Sequence, residues 1–387
     1  MGTAVKATLA VVVAGTALFF WVGADIERFV NRVEPVVLPG ISDAARRIHD
    51  QSLVVDLHAD SLVFGRDLLV RSEVGHVDLP RLQEGGVALQ MFTAVTRTPF
   101  GLDIHQTDEG GVDLLTVATI AQRSPLASLG PRDRALLQAE RLASLIGRSE
   151  GRLLPVRTRA ELDRALTSHR KDPAIVGVIF GVEGAHALEG EISNLDVLYE
   201  AGVRMIGLTH FFDNAYAGSA HGLEKGGLTE TGRELVSRME ELGIAIDLAH
   251  LSPTAIDDVL GMATRPTLVS HGGVKATCDN PRNISDEHIR AIAAGGGVVG
   301  IGYFELAVCG TEPRDTVDAI RHVVDLVGDD HAALGSDFDG ATTVGFDTGQ
   351  LRALTQQMLD DGLSEDSIRK ILGANTIRVL RRTLPRR

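Results

Sequence analysis

Thiols are nearly absent from this chain. Its 387 residues include two cysteines, Cys278 and Cys309, so a disulfide-built scaffold is excluded, and so is zinc held by thiolates. One bridge between the two cysteines stays open, and any metal has to sit on His, Asp and Glu. Cationic charge is also in short supply. The chain has 38 Lys and Arg against 52 Asp and Glu, a formal net charge of −14. A body that acidic repels a phosphate backbone, which argues against a nucleic-acid partner. There is no internal repeat, and no glycine-rich phosphate turn follows the first strand pattern. Core-forming residues, by contrast, are plentiful. At 44% hydrophobic and 23% charged, general disorder and a coiled coil are both excluded. The length suits two or three domains, or one (β/α)8 barrel with insertions.

Residues 7–24, ATLAVVVAGTALFFWVGA, run for eighteen positions without a charge and follow Lys6. That is the lower limit for a membrane-spanning helix, and it also suits the apolar core of a secretory signal. Val22-Gly23-Ala24 offers small residues to a signal peptidase, whereas Phe19-Phe20-Trp21 is an aromatic cluster of the kind found at membrane interfaces. The expectation is a hydrophobic amino-terminal helix at 1–24, either an anchor or a cleaved signal. Either outcome places the body outside the cytoplasm, membrane-anchored or secreted into a space such as the periplasm. Residues 25–45, with Pro35 and Pro39, read as a linker, and residues 46–387 as the folded body.

From residue 52 onward, short β-branched runs alternate with helical patterns. Strands are expected at 53–60, 87–95, 174–183, 203–210, 243–250, 266–271, 297–303 and 332–337. They are nearly continuous Val, Ile, Leu, Ala and Gly, as parallel strands covered on both faces should be. Residues 229–242 and 315–327 carry apolar positions three and four apart, the helical period. Ser252-Pro253 and Ser285 supply starts for helices at 254–263 and 286–294. Eight strands alternating with helices predict an α/β fold of the (β/α)8 type, with an open doubly wound sheet as the runner-up. The second and third strands are separated by a long insertion with helical stretches at 113–123 and 132–148, either a lid or dimer contact or a decorating hairpin. Five arginines over 378–387 read as a solvated helix end.

Chemistry in such a barrel occupies the carboxyl-terminal ends of the strands. Six of the eight end in a metal ligand or proton-transfer group: His58-Ala59-Asp60, Glu183, His210, His250, His271 and Asp337. His58 and Asp60 lie two apart on a strand and so face the same way. Apolar strands ending together in unpaired ionisable groups would be costly unless a metal neutralised them. Nitrogen and oxygen donors without thiolate suit zinc, with manganese or cobalt as further choices. Five ligands, His58, Asp60, Glu183, His250 and His271, are too many for one catalytic zinc. Two ions bridged by Glu183 accommodate them, with a shared water acidified to hydroxide. Asp337 is then free to move the proton to the leaving group.

The segments VVDLHAD, HVDLPRLQEGGV, GVEGAH, LTHFFDN, IDLAHLS, SHGGVKATCDNPRN and LGSDFDG, in this order between residues 53 and 340, resemble the membrane (renal) dipeptidase family. The resemblance implies a binuclear zinc (β/α)8 hydrolase in which a bridging hydroxide cleaves dipeptides. By motif it implies His58 and Asp60 on the first zinc, His250 and His271 on the second, and Glu183 between them. It also implies His210 at the scissile carbonyl oxygen, Arg282 at the substrate carboxylate and Asp337 as the catalytic acid-base. Arg282 makes physical sense, because a planar guanidinium grips a carboxylate at two points. Tyr303, ending the seventh strand, is a further candidate for that carboxylate, although the stretch after it matches the family poorly. Asp339 reads as a turn residue beside Gly340, His186 and His221 as supporting or surface groups, and no chemistry is assigned to Cys278.

Leu57, Ala59 and the pair Gly272-Gly273 depart from the family's usual residues, which bears on the polarity around the ligands and on substrate choice. The family further admits a carboxyl-terminal D-residue, β-lactam opening in some members, and a homodimer. The alternatives are a related metal-dependent hydrolase of another amide, lactone or β-lactam, and a non-catalytic membrane-tethered binding protein.

Overall fold

Eight parallel strands form the centre of the computed structural model, which describes residues 16, 19–23 and 25–386. They are β1 (Val54–Ala59), β2 (Val87–Val95), β3 (Val176–Glu183), β4 (Val203–Gly207), β5 (Ala245–Asp247), β6 (Leu268–Val269), β7 (Val298–Ile301) and β8 (Ala332–Leu334). Each pairs in parallel with its successor in sequence. The ring is nearly closed beyond β8, where Phe338 bridges Ala59 and its carbonyl accepts the Asp60 N–H at 2.9 Å. A short strand, Leu153–Pro155, adds to the start of β3. This is the parallel barrel that the alternation predicts, and all six residues of β1 are buried, as strands covered on both faces require.

The helices start where their caps dictate. Thr229, Ser252 and Ser285 each accept a backbone N–H three residues on, at 2.9, 3.0 and 3.3 Å, opening Glu230–Leu242, Pro253–Met262 and Asp286–Ala294. The long insertion holds Leu114–Ala121 and Pro131–Arg148. It folds back on the barrel through Arg134, which donates to Asp113 Oδ2 at 2.6 Å and to the Thr96 carbonyl at 2.9 Å. Arg378, expected to be solvated, instead donates to the carbonyls of Gly296 and Asp330, tying the last helix to the barrel.

Two expectations change. Strands four, five, six and eight stop two or three residues before the histidine or aspartate expected to end them. His250 and Asp337 have φ of 64° and 59°, which no paired strand residue can adopt, so the functional side chains sit on turns just past the ladder. Residues 25–45, read as a linker, lie against the body. Arg32–Val33 pairs in parallel with Thr343–Val344, and the buried Glu27 accepts from Arg66 Nε at 2.6 Å. Most of the apolar run at 7–24 lies outside the described residues. Among those described, no helix is long and apolar enough to cross a membrane.

Candidate metal centre and active site

Six barrel strands, or the turns just past them, deliver side chains to one point at the mouth, and Glu183 is its centre. Glu183 Oε1 lies 3.1 Å from His250 Nε2, 3.3 Å from His271 Nε2 and 3.7 Å from His58 Nε2. Its Oε2 is 3.4 Å from His210 Nε2. His58 Nε2 is 3.5 Å from Asp60 Oδ1 and 3.9 Å from Asp337 Oδ1. His58, Asp60 and Glu183 therefore offer donor atoms all within 4.8 Å of one another, and so do Glu183, His250 and His271. Glu183 belongs to both triads. All these groups are buried.

The electrostatics of this cluster are those of a cation site. Burial pushes the Glu183 carboxyl well above its ordinary value, and the neighbouring Asp60 charge adds to the effect. Burial likewise pushes Asp337 up to about 7. For His58 burial opposes the charged form, yet Asp60, Glu183 and Asp337 outweigh it and hold the imidazole at about 10. Burial, with Arg282 and neighbouring histidines reinforcing it, keeps His250 and His271 well below the usual imidazole value. His250 and His271 thus stand neutral, as metal ligands must, and a cation among the crowded carboxylates would take the place of the His58 proton. Two local contacts fit the same reading. His250 Nε2 and His271 Nε2 stand 3.2 Å apart, and buried His58 Nε2 has no hydrogen-bond partner among the described residues. Imidazole lone pairs turned on a shared space are satisfied by a cation between them.

Arg282 reaches the same mouth from the loop after β6. Its Nη2 donates to the His271 carbonyl at 3.0 Å, while its buried Nη1 has no partner among the described residues. A guanidinium held by one arm, with the other free and desolvated, is prepared for an anionic group. Its loop is fastened by a disulfide between Cys278 and Cys309, with Cα atoms 5.4 Å apart. The structure thus realises the single bridge that the sequence left open.

Tyr303 does not face this space openly. It is 1% exposed, its ring packs on Phe338 and Phe346 with centroids 5.4 and 5.2 Å away, and its hydroxyl has no partner among the described residues. Asp339 is consumed by Ser61, Arg66 and the His76 backbone N–H. His186 meets Thr96 Oγ1 at 2.9 Å and His221 the Ile104 carbonyl at 2.8 Å, so both serve neighbouring loops. Strand-end reasoning passed over a buried layer beneath the ligands. Thr93 donates to Asp60 Oδ1 at 2.6 Å, Ser270 to Asp247 Oδ2 at 2.6 Å, and Ser336 to Asp56 Oδ2 at 2.7 Å. The available signal was an Asp inside each apolar run, VVDLH and AIDLAH, where burial demands a partner.

Comparison with known proteins agrees with this geometry. Residues 42–385 match the family described as membrane dipeptidase, peptidase family M19. Dipeptidase verJ of Clonostachys rogersoniana is 31% identical over 314 residues, covering 79% of this chain and 76% of its own. Of solved structures, dipeptidase AC, a metallo peptidase of family M19, superposes with a TM-score of 0.70 at 28% identity, over 86% of this chain and 99% of that one. A metallo peptidase from Rhodobacter sphaeroides, liganded with a phosphinate mimic of the dipeptide L-Ala-D-Ala, gives 0.70 at 26% identity, over 86% and 100%. With the ligand geometry and the match over nearly the whole body, the chain belongs to the membrane dipeptidase family of metallopeptidases, peptidase family M19.

Proposed function

We propose that this metallo dipeptidase works with two zinc ions, one on His58, Asp60 and Glu183 and one on Glu183, His250 and His271. The observation that carries this reading is the pair of donor triads sharing one carboxylate. Bound divalent cations supply Lewis acidity, lowering the pKa of a shared water and polarising the scissile carbonyl. The protein's own groups do the rest. Arg282 Nη1 receives the substrate's terminal carboxylate. His210, held neutral by burial and turned towards Glu183, donates an N–H to the carbonyl oxygen as charge develops there. Asp337 takes a proton from the nucleophile and returns it to the departing amine. The R. sphaeroides relative's L-Ala-D-Ala mimic supports acceptance of a D-residue at the carboxyl side here as well.

The test is a panel of L,L and L,D dipeptides with free or amidated carboxyl ends, presented to the zinc-loaded protein. Free-acid dipeptides should be cleaved and amidated ones spared. Arg282→Ala should cost about 2–5 kcal/mol of transition-state binding, as losing one partner of a buried charge pair does. That is roughly 30–5,000-fold in kcat/KM, confined to free-acid substrates. Equal cleavage of both substrate sets by the wild-type chain would remove the carboxylate grip from the mechanism.

The disulfide and the uncharged run at 7–24 support a location outside the reducing cytoplasm. Fractionation of cells expressing the full chain should find the activity there. A full-length chain that stays with the membrane after a high-salt wash indicates an anchor, and a shortened soluble chain indicates a cleaved signal. Activity confined to the cytoplasm contradicts both.

A further inference from the structure

The metal ligands are not isolated side chains, and the groups behind them bring the two halves of the site together. Ser270 is the residue between Val269, the last of β6, and His271. Its hydroxyl oxygen lies 2.8 Å from His271 Nδ1, 3.1 Å from His58 Nδ1 and 2.6 Å from Asp247 Oδ2. Asp247 closes β5, and its other oxygen, Oδ1, accepts the backbone N–H of Ser270 at 2.8 Å and of Ala249 at 3.0 Å. All these atoms are buried, with Ser270 fully shielded.

The donor and acceptor count fixes the direction of every bond. A serine hydroxyl has one hydrogen to give and two lone pairs to fill. Asp247 is surrounded by N–H donors and accepts, so the Ser270 hydrogen goes to Oδ2. Both remaining contacts on the Ser270 oxygen must then be N–H groups, one from each ring. His58 and His271 are thereby held with hydrogen on Nδ1 and with Nε2 turned to the Glu183 side. His58, Asp247 and His271 also lie close enough to suggest a cation site of their own. That reading fails on the same count, since Ser270 takes both Nδ1 atoms and three donors take the Asp247 oxygens.

We propose that the Ser270 hydroxyl, oriented by Asp247, is a single hub that sets the ring orientation and tautomer of one imidazole in each metal half-site, His58 and His271. Ser270 and Asp247 are positioning residues, and they couple the two ions through the protein as well as through Glu183. His250 lies outside the hub, because its Nδ1 has no partner among the described residues. The inference rests on the two-ion reading given above.

Metal affinity, measured on the full-length protein, tests it. Each variant is stripped and titrated with Zn²⁺ against a chromophoric chelator, then with Co²⁺ followed by its visible absorption. Loss of an outer hydrogen-bond partner typically costs 10–100-fold in metal affinity. Ser270→Ala should lose about that much at both half-sites together, and Ser270→Thr, which keeps a hydroxyl, should restore it. Asp247→Asn should behave differently. Its amide donates to the Ser270 oxygen, so the hydroxyl hydrogen must turn to one Nδ1 and move that ring's own hydrogen to Nε2. One half-site then closes and one ion is lost. Imidazole ¹⁵N spectra of the zinc-loaded protein should show Nδ1–H on His58 and His271 in the wild type, and one of the two converted in Asp247→Asn. Wild-type affinity at either half-site in Ser270→Ala, or two ions bound normally by Asp247→Asn, overturns the hub and leaves the dipeptidase reading standing. A wild-type chain that takes up no cation overturns the two-ion reading, and the hub with it.

Discussion

Replacing Asp337 by Asn is expected to reduce kcat by about 10²–10⁴-fold, the usual contribution of a positioned acid-base group, while the protein keeps its metal. Asp337 belongs to neither donor triad, so its charge is not needed to hold a cation. It stands beside them, with Oδ1 3.9 Å from His58 Nε2, and burial brings its carboxyl to about 7, where it can both accept and release a proton near neutrality. Its backbone is fixed independently of the side chain. Thr342 Oγ1 donates to the Asp337 carbonyl at 2.9 Å, and the following residue, Phe338, gives its N–H to Ser336 Oγ at 3.0 Å. Asn fits the same space and cannot carry the proton. Metal content by elemental analysis and kcat on one good dipeptide decide the matter. Near-normal turnover at full metal loading removes Asp337 from proton transfer.

The barrel and the cluster of candidate metal donors at its mouth could be read from the sequence for one physical reason. Strands covered on both faces must be apolar throughout, so each ionisable group stands out where the run stops. His58, Asp60, Glu183, His210, His250, His271 and Asp337 were visible in this way. Strand lengths were overestimated, because a residue with positive φ looks the same in sequence as one in the ladder, and His250 and Asp337 are of that kind. Arg282 offered no such signal. It lies in a loop of mixed polarity, its place set by the Cys278–Cys309 bridge and by a bond to the His271 carbonyl, and motif resemblance alone pointed to it. Asp247 and Ser270 were hidden differently. Their partners come from distant strands, and one-dimensional spacing does not show which hydroxyl will meet which carboxylate.

Metal removal should have the second large effect, and its size should depend on pH. A free cation at a thousand times its Kd stabilises a folded chain by about 4.1 kcal/mol per site, so a chelator should lower Tm by several degrees. The sign of the pH dependence follows from two groups. In the metal-free chain His58 is held up at about 10, so the stability it contributes is complete below the ordinary imidazole value near 6.5 and is lost as pH climbs towards 10. Glu183, raised well above its ordinary value by burial, acts in the same direction, since its protonated form is the one the folded chain prefers. Cations displace both protons, so the loaded chain escapes this loss and binding itself tightens as pH rises. His250 and His271, already neutral, release nothing. Above pH 6.5 the Tm gap between loaded and stripped protein should therefore widen steadily, and zinc addition in weak buffer near pH 7 should release protons. Glu183→Gln, which takes the shared carboxylate from both triads, should bind neither ion firmly and show almost no chelator-dependent change in Tm. A gap that narrows with rising pH, or a Glu183→Gln protein that holds two ions normally, contradicts the central place given to this carboxylate.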